Sequence, residues 1–139
     1  MASFTKLDPA IKNAIVDSVG SELGANAVLK LYGAPMIASF AEAITTQPLL
    51  STHACSATFA PPASGGSATV NAIANGTGTA AATSGGIAAV FGILETSGGA
   101  RKVVFSVGAT GCDMNMTPDS IIKTNQTVII DSFTIASSN

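Results

Sequence analysis

The sequence predicts a mainly β protein, an antiparallel β-sandwich or jelly-roll-like domain with a short N-terminal helix and arm. Short runs with β-type alternation recur along the chain, Gly and Pro clusters separate them, and a helical apolar pattern occurs only near the N-terminus. The 139 residues suffice for one hydrophobic core, so we expect a single structural domain. Residues 1–45 would supply the helix, a first strand and an arm, and 46–139 the β-sandwich body.

The helix is predicted from capping residues that precede an apolar pattern. Asp8 is a suitable N-cap, Pro9 suits the first helical position, and Gly20 is predicted to end the helix. The first strand is predicted over 26–32. Residues 36–44 fit either a helical turn or an apolar arm, and periodicity does not distinguish the two.

The strands of the body are predicted from runs of alternating or continuous apolar residues. The run 87–95 is nearly all apolar, as in a central strand, and 101–108 returns after a hairpin turn at 97–99. Residues 75–86 fit either a loop or a weak strand, and Pro118 is expected to open a turn. The remaining predicted strands are 50–59, 67–74, 112–116 and 124–135.

Asp, Glu, Lys and Arg are absent from residues 43–94, a run of 52 residues. The whole chain is only 10% charged, against about 25% in an average soluble domain. Gly, Ser, Thr and Pro interrupt the run too often for a membrane span. A neutral surface of small residues stays soluble mainly when it is covered, so we expect a homo-oligomer or a building block of a larger assembly.

Charge and the N-terminal sequence argue against several classes of protein. With a net charge of −2 and a pI near 5.0, the chain has no basic face for nucleic acid. The first residues lack the charged and apolar regions of a signal peptide, so we expect synthesis in the cytoplasm. We therefore expect neither a nucleic acid nor a membrane partner.

The motifs that suggest a cofactor or catalysis are weak. Gly76, Gly78 and Ala81 match the G-x-G-x-x-A dinucleotide fingerprint, but Ser84-Gly85-Gly86 would break the helix that this motif requires. His53 is the only histidine, and the chain has no Gly-x-Ser-x-Gly nucleophile motif. We expect a half-buried packing histidine, no cofactor and no enzyme activity.

Two pairs of residues are candidates for a metal site or a disulfide. Cys55 and Cys112 lack metal-ligand spacing, and two small buried thiols are favoured over one disulfide. Asp113 and Asn115 could bind Ca²⁺ with help from carbonyl groups, but a role in a turn is favoured. We therefore expect no metal site.

The residues most suited to an interface lie in the helix, the arm and the charge-free run. The apolar helix face fits either a cap over its own sandwich or a contact with a neighbouring subunit, and the neighbour is favoured because the helix precedes the first strand. The candidates are Ile11, Ile15, Val16, Val19, Met36, Ile37, Phe40, Thr79 and Thr83.

Six segments together carry a resemblance to a known family. They are Gly24–Tyr32, Leu49-Leu50, Cys55–Ala60, Thr96–Gly99, Val107–Asn115 and Ser132–Ile135. In these turn and strand patterns the chain resembles small virion structural proteins of tailed phages and prophages, which are similar to head decoration or cement proteins. The chain departs from the family at 34–44, which family members usually make shorter and more polar.

The resemblance implies a protein of the mature virion, and a capsid cement or decoration protein is the position we favour. The implied partners are the major capsid protein and copies of the chain itself, with synthesis in the host cytoplasm. The alternatives are a tail, neck or fibre-associated module and, less favoured, a carbohydrate-binding or adhesin domain. Sugar-binding surfaces generally need exposed Trp or Tyr side chains, and this chain has no Trp and one Tyr. An enzyme would have to bring His53 close to Asp113 or Asp131.

Overall fold

A computed structural model describes residues 6–116, 119–131 and 133–137. In this part the chain is mainly β, with one α-helix near the N-terminus. The predicted β class and the predicted N-terminal helix are therefore confirmed. The turn expected at Pro118 lies outside the described residues.

Helix α1 spans Pro9–Leu23 and begins where the sequence predicts. The Asp8 carboxylate accepts a hydrogen bond of 2.8 Å from a backbone N–H of the first turn. The prediction that Gly20 ends the helix is wrong. The helix continues because Leu23 is buried in the core, and it ends at Gly24, where a φ of 71° suits glycine.

Ten strands occur in the described residues, and six of them form one central mixed sheet. They are β1 (Val28–Gly33), β2 (Leu49–Ala54), β3 (Ser67–Thr69), β4 (Gly76–Thr77), β5 (Ile87–Glu95), β6 (Arg101–Gly108), β7 (Met114–Asn115), β8 (Ile121–Ile122), β9 (Thr127–Val128) and β10 (Thr134–Ala136). The order in the sheet is β2–β1–β5–β6–β7, and β8 pairs with the start of β5. Since β1 lies between β2 and β5, the first 45 residues contribute to the same sheet as the body.

The β5–β6 hairpin at the centre of the sheet has the bounds that the sequence predicts. Its two strands pair antiparallel, with Gly92 opposite Phe105. A Cβ atom at Gly92 would overlap the Phe105 ring, so the glycine makes room for the aromatic side chain. The hairpin was predictable because both long strands and their turn are contiguous in sequence.

The expectation of a wholly antiparallel arrangement is wrong at β7, which runs parallel to β6. The Asp113 carboxylate accepts hydrogen bonds from the Ser106 N–H (2.9 Å) and hydroxyl (3.1 Å). Gly111 adopts a left-handed φ of 69° in the intervening loop. These contacts turn the loop back on β6, so the next residues run beside the end of that strand in the same direction.

Several predicted strands are shorter than the sequence suggests, and one was missed. The predicted strand 124–135 is divided into β9, which pairs with β4, and β10, which pairs with β3. The runs 50–59 and 67–74 are shortened to β2 and β3. The missed strand, β8, has two residues. Strands of two or three residues are too short for alternation to reveal them.

Apolar side chains pack on both faces of the central sheet. Leu29 and Leu31 belong to the main core on one face, together with Leu23 of α1. Phe91 and Ile93 belong to a smaller cluster on the other face, beneath the loop that joins β1 to β2. Both faces are therefore covered by the chain itself near the middle of the sheet.

Candidate interaction surface

A surface of uncharged side chains surrounds the outer strand β2 and is bordered by Lys30 of β1, which lies opposite Thr52. It forms where β2 contacts β4 and the short 3₁₀ helix Ala80–Ala82, all within the charge-free run. We call this surface the neutral flank. Its exposed residues are Thr52, Ala54, Asn75, Thr77, Ala80, Ala81, Thr83 and Ser84. Methyl, hydroxyl and amide groups of this kind recognise a partner by shape and hydrogen bonding rather than by charge.

Backbone hydrogen bonds cover the outer edge of β2 below the neutral flank. The Thr79 N–H donates to the Leu50 carbonyl oxygen, and the Ala74 N–H donates to the Ala54 carbonyl oxygen, both at 2.9 Å. The Thr79 hydroxyl donates to the Leu49 carbonyl oxygen at 2.5 Å. A partner would therefore meet the side chains of the flank rather than unpaired backbone at these positions.

The two threonine candidates differ in their availability. The Thr79 hydroxyl is engaged with the backbone, and this residue is only half-exposed. Thr83 is exposed and has a left-handed φ of 62°, at the corner that follows the 3₁₀ helix. Thr83 is therefore the better position for a surface substitution.

His53 lies beneath the neutral flank and is 0% exposed, not half-buried as predicted. Its Nδ1 is 3.0 Å from the Ala74 carbonyl oxygen, and because a carbonyl only accepts, Nδ1 carries the proton. The other ring nitrogen, Nε2, then accepts a hydrogen bond from the Ser51 hydroxyl, whose oxygen lies 3.0 Å from it. Burial lowers the pKa of His53 from 6.5, with the Ala74 hydrogen bond acting in the opposite direction. The ring is neutral at pH 7.

The Ser51–His53 pair does not have the arrangement of a hydrolytic site. Both side chains are 0% exposed, so a substrate has no access to the hydroxyl. A backbone carbonyl occupies the place where a triad has a carboxylate. A Cβ atom at Gly76 would lie 2.7 Å from His53 Cε1, which leaves no space beside the ring. The pair is a packed core contact with its hydrogen bonds satisfied.

Close packing explains the two glycines, Gly76 and Gly78, that match the dinucleotide-binding fingerprint. Gly76 lies against the His53 ring, and a Cβ atom at Gly78 would overlap the Lys123 carbonyl oxygen. Ala81 lies in the 3₁₀ helix, which is a single turn and not the α-helix that a pyrophosphate site needs. The spacing therefore reflects two places where the backbone approaches its neighbours.

Asp113, Asn115 and the cysteines have structural surroundings. Asp113 binds Ser106 as described above, and the Asn115 Oδ1 accepts from the Cys112 N–H at 3.1 Å. Both side chains thus hold the loop before β7. Cys55 and Cys112 are free thiols, but the expected burial is found only for Cys55, since Cys112 is half-buried. Burial raises the pKa of the Cys55 thiol to about 11, so this group is protonated at neutral pH.

The helix candidates are divided between buried and exposed positions. Val16 is 3% exposed, and Val19 is half-buried against the main core. Ile11 and Ile15 are 50% and 46% exposed. The expectation that this face as a whole contacts a neighbour is therefore wrong for Val16, because that side chain packs within its own chain.

The arm candidates lie in an irregular loop rather than in a helical turn or a projecting arm. Ile37 is 5% exposed and belongs to the cluster of Phe91 and Ile93. Residues 36–44 thus fold back over the sheet, because an apolar side chain in the loop can be buried there. Ile37, like Val16, is not available to a partner.

The exposed residues of this loop are held by Arg101. Its guanidinium donates to the carbonyl oxygens of Phe40 (2.8 Å) and Glu42 (2.9 Å). The guanidinium carbon also lies 5.9 Å from the centroid of the Phe40 ring, which is within cation–π range. Phe40 and Met36 remain 54% and 43% exposed.

Two exposed apolar residues are not among the interface candidates that the sequence predicts. Ile129 is 66% exposed and Ile121 is 42% exposed. In the predicted strand 124–135, Ile129 lies two positions before Asp131 and so on the same face, and a charged residue there indicates that this face is exposed. The exposure of Ile129 could therefore be predicted from the sequence. That of Ile121 could not, because Ile121 lies in a strand of two residues, which is too short to recognise.

Comparisons of the chain with protein-family models, with curated proteins and with solved structures find no match. Among the described residues, no helix is both long and apolar enough to cross a membrane. The same residues contain no group of three side chains suited to hold a metal ion.

Proposed function

We propose that the protein is a structural component of a tailed-phage virion, and that it acts as a head cement or decoration protein. The neutral flank carries this proposal, because its exposed side chains are small and none is charged. A cement protein has to pack closely against the major capsid protein and against further copies of itself. Small neutral side chains permit that approach without the cost of removing charges from water.

The neutral flank also suits a particle that meets different salt concentrations. Salt screens contacts between exposed charges, and the Debye length is about 8 Å at physiological ionic strength. A contact without charges is not weakened in this way. The proposed interface should therefore hold over a wide range of ionic strength.

The family resemblance supports the same proposal. The resembling segments include most of β1 and the loop between β6 and β7. In the proposed arrangement, the β3–β10 and β4–β9 pairs form a second layer, which gives the predicted sandwich or jelly-roll-like domain. The protein would be synthesised in the host cytoplasm and retained in the virion.

A sugar-binding role is less well supported than a virion role. Sugar platforms generally use exposed aromatic rings. The only tyrosine, Tyr32, stacks on Phe91 with a centroid distance of 5.3 Å and belongs to the smaller apolar cluster. Its ring is therefore already covered on one side.

The proposal is tested by placing a charge on the neutral flank. Thr83→Lys and Ala81→Lys add a cation at exposed positions, and Lys is unbranched at Cβ, so neither substitution adds strain of the kind found at Thr83. We expect incorporation into particles to fall at least about tenfold. The matched control is Ser97→Lys, which adds the same charge in the exposed hairpin turn outside the flank.

The position in the virion is tested by counting copies. Mass spectrometry of purified heads and tails, separated from each other, should find the chain in hundreds of copies on heads. A few copies on tails only would favour the tail or neck alternative. Normal incorporation of both flank variants would exclude the flank as the contact, and absence from the virion would overturn the proposal.

A further inference from the structure

An outward-facing row of side chains runs along β8 and its two neighbours. Asp119, Ile121 and Lys123 are exposed, and they alternate with the buried residues Ser120 and Ile122. The Ile121 and Lys123 side chains both lie beside Gly86, and together with Asp119 they line one cavity, so the three exposed side chains share one side. Within the described residues, neither Asp119 nor Lys123 forms an ion pair.

The row borders the most exposed large apolar side chain of the described residues. Ile129 is 66% exposed, and together with Ile121 it lines a shallow cavity of about 780 Å³. Asp119 and Lys123 line the same cavity. The surface thus has an apolar centre between one negative and one positive charge. We call the row of Asp119, Ile121 and Lys123 the β8 row.

We propose that the β8 row is a two-fold contact with a second copy of this chain. A two-fold rotation reverses the direction of a row, so it brings Asp119 opposite the partner's Lys123 and Lys123 opposite the partner's Asp119. Ile121 then lies at the axis against the partner's Ile121. The order negative, apolar, positive is complementary to itself in this arrangement, and a row with one sign of charge would repel its copy.

The β8 row contains none of the residues of the neutral flank. The pairing therefore does not depend on the proposed virion role, and it should occur in the purified protein without a particle. Ile129 lies beside the row, where the partner's side chains would cover it. This arrangement would bury Ile121 and Ile129, two of the large apolar residues that the chain itself leaves exposed.

The charge order is tested with two variants and their mixture. Asp119→Lys and Lys123→Asp each give the row a single sign of charge, and each should weaken the dimer at least about tenfold in sedimentation velocity. An equimolar mixture of the two should form heterodimers, because the two rows are then complementary. A wild-type chain that stays monomeric up to about 1 mM, or a mixture that stays monomeric, would overturn the pairing.

Further variants separate the contact from local effects on the fold. The Asp119 carboxylate accepts a hydrogen bond from the Ile121 N–H (3.0 Å), and Asp119→Asn keeps that acceptor while removing the charge. Ile129→Lys should abolish the dimer, whereas Ile15→Lys, at an exposed position of α1, should not. The opposite result for the two isoleucines would place self-association on the helix and overturn the proposal.

Discussion

The neutral flank and helix α1 both cover strands of the same domain, but different contacts hold them in place. α1 buries two apolar side chains in the core, and polar side chains attach it as well. The Asp17 carboxylate accepts from the Ala63 N–H at 2.7 Å, and the Asn13 Oδ1 accepts from the Gly66 N–H at 2.8 Å. These bonds connect the helix to the loop before β3.

The neutral flank is attached by backbone contacts and close approach at glycine. The segment from Ala74 to Thr79 donates two backbone hydrogen bonds to β2. Gly76 and Gly78 allow it to approach His53 and the Lys123 carbonyl group. No charged side chain takes part in these contacts.

Because of this difference, the side chains that could contact a partner are not those that stabilise the flank, whereas on α1 some side chains are exposed and also stabilise the fold. On the flank, stability depends on the fit of the backbone, so the exposed side chains are free to contact a partner. On α1, several exposed polar side chains are themselves structural. Substitutions should therefore affect the flank through steric fit and the helix through lost hydrogen bonds.

The largest expected effect is that of Gly78→Ala. The added Cβ atom would overlap the Lys123 carbonyl oxygen, and backbone cannot move aside as a flexible side chain can. We expect the free energy of unfolding to fall by more than about 3 kcal/mol, measured by urea denaturation. Gly85→Ala is the matched control, because no atom lies within 4 Å of its Cβ position. Equal stability of the two variants would contradict the role of backbone fit.

The next effect is a pH dependence of the protein's stability that is caused by His53, which lies beneath the neutral flank. Burial lowers the pKa of His53 in the folded state, so below about pH 6.5 the unfolded chain binds more protons than the folded chain. Stability should therefore fall as the pH falls from 7.5 to 5.5, by at most about 1.4 kcal/mol per unit from this group. Urea midpoints of the wild type and of His53→Gln measure it. The same pH slope in both proteins would assign the dependence to other groups.

A smaller effect is expected at the helix attachment. Asp17→Ala removes the acceptor of the Ala63 N–H, and we expect a loss of about 1 kcal/mol in the free energy of unfolding. Asp17→Asn keeps a side-chain oxygen at the same position and should recover most of the loss. If Asn is as destabilising as Ala, charge rather than the hydrogen bond attaches the helix.

The smallest effect is expected at the ion pair between α1 and β6. The Lys102 Nζ lies 3.1 Å from the Glu22 carboxylate, and 67% of the Glu22 side chain is exposed. Exposed pairs of this kind contribute little, so Lys102→Gln should change the free energy of unfolding by less than about 0.5 kcal/mol. A loss above about 1 kcal/mol in thermal or urea unfolding would show that the pair is a main attachment of the helix.

Local sequence patterns predicted the start of α1 and the β5–β6 hairpin well. The Asp8-Pro9 cap and the contiguous apolar strands are signals that neighbouring residues supply by themselves. The parallel pairing of β7 was not predictable, because it depends on the Asp113 side chain contacting Ser106. The division of 124–135 into β9 and β10 likewise depends on two different distant partners.

The candidate interface was also predictable only in part, because contacts between distant segments decide which residues are exposed. The lack of charge in 43–94 is a property of composition, so the sequence alone established that any exposed part of this run is neutral. Apolar residues such as Val16 and Ile37 could not be assigned to a partner or to the core from periodicity, because both environments favour the same side chains.

By itself, the sequence determined the β class, the position of the helix and the neutrality of one long segment, since these follow from local pattern and composition. Only the tertiary structure decided which residues share a surface. It gathered β2, β4 and the 3₁₀ helix into the neutral flank, and it left Ile121 and Ile129 exposed beside opposite charges. Pairing between distant segments determines which side of each strand faces water, and no local pattern contains that information.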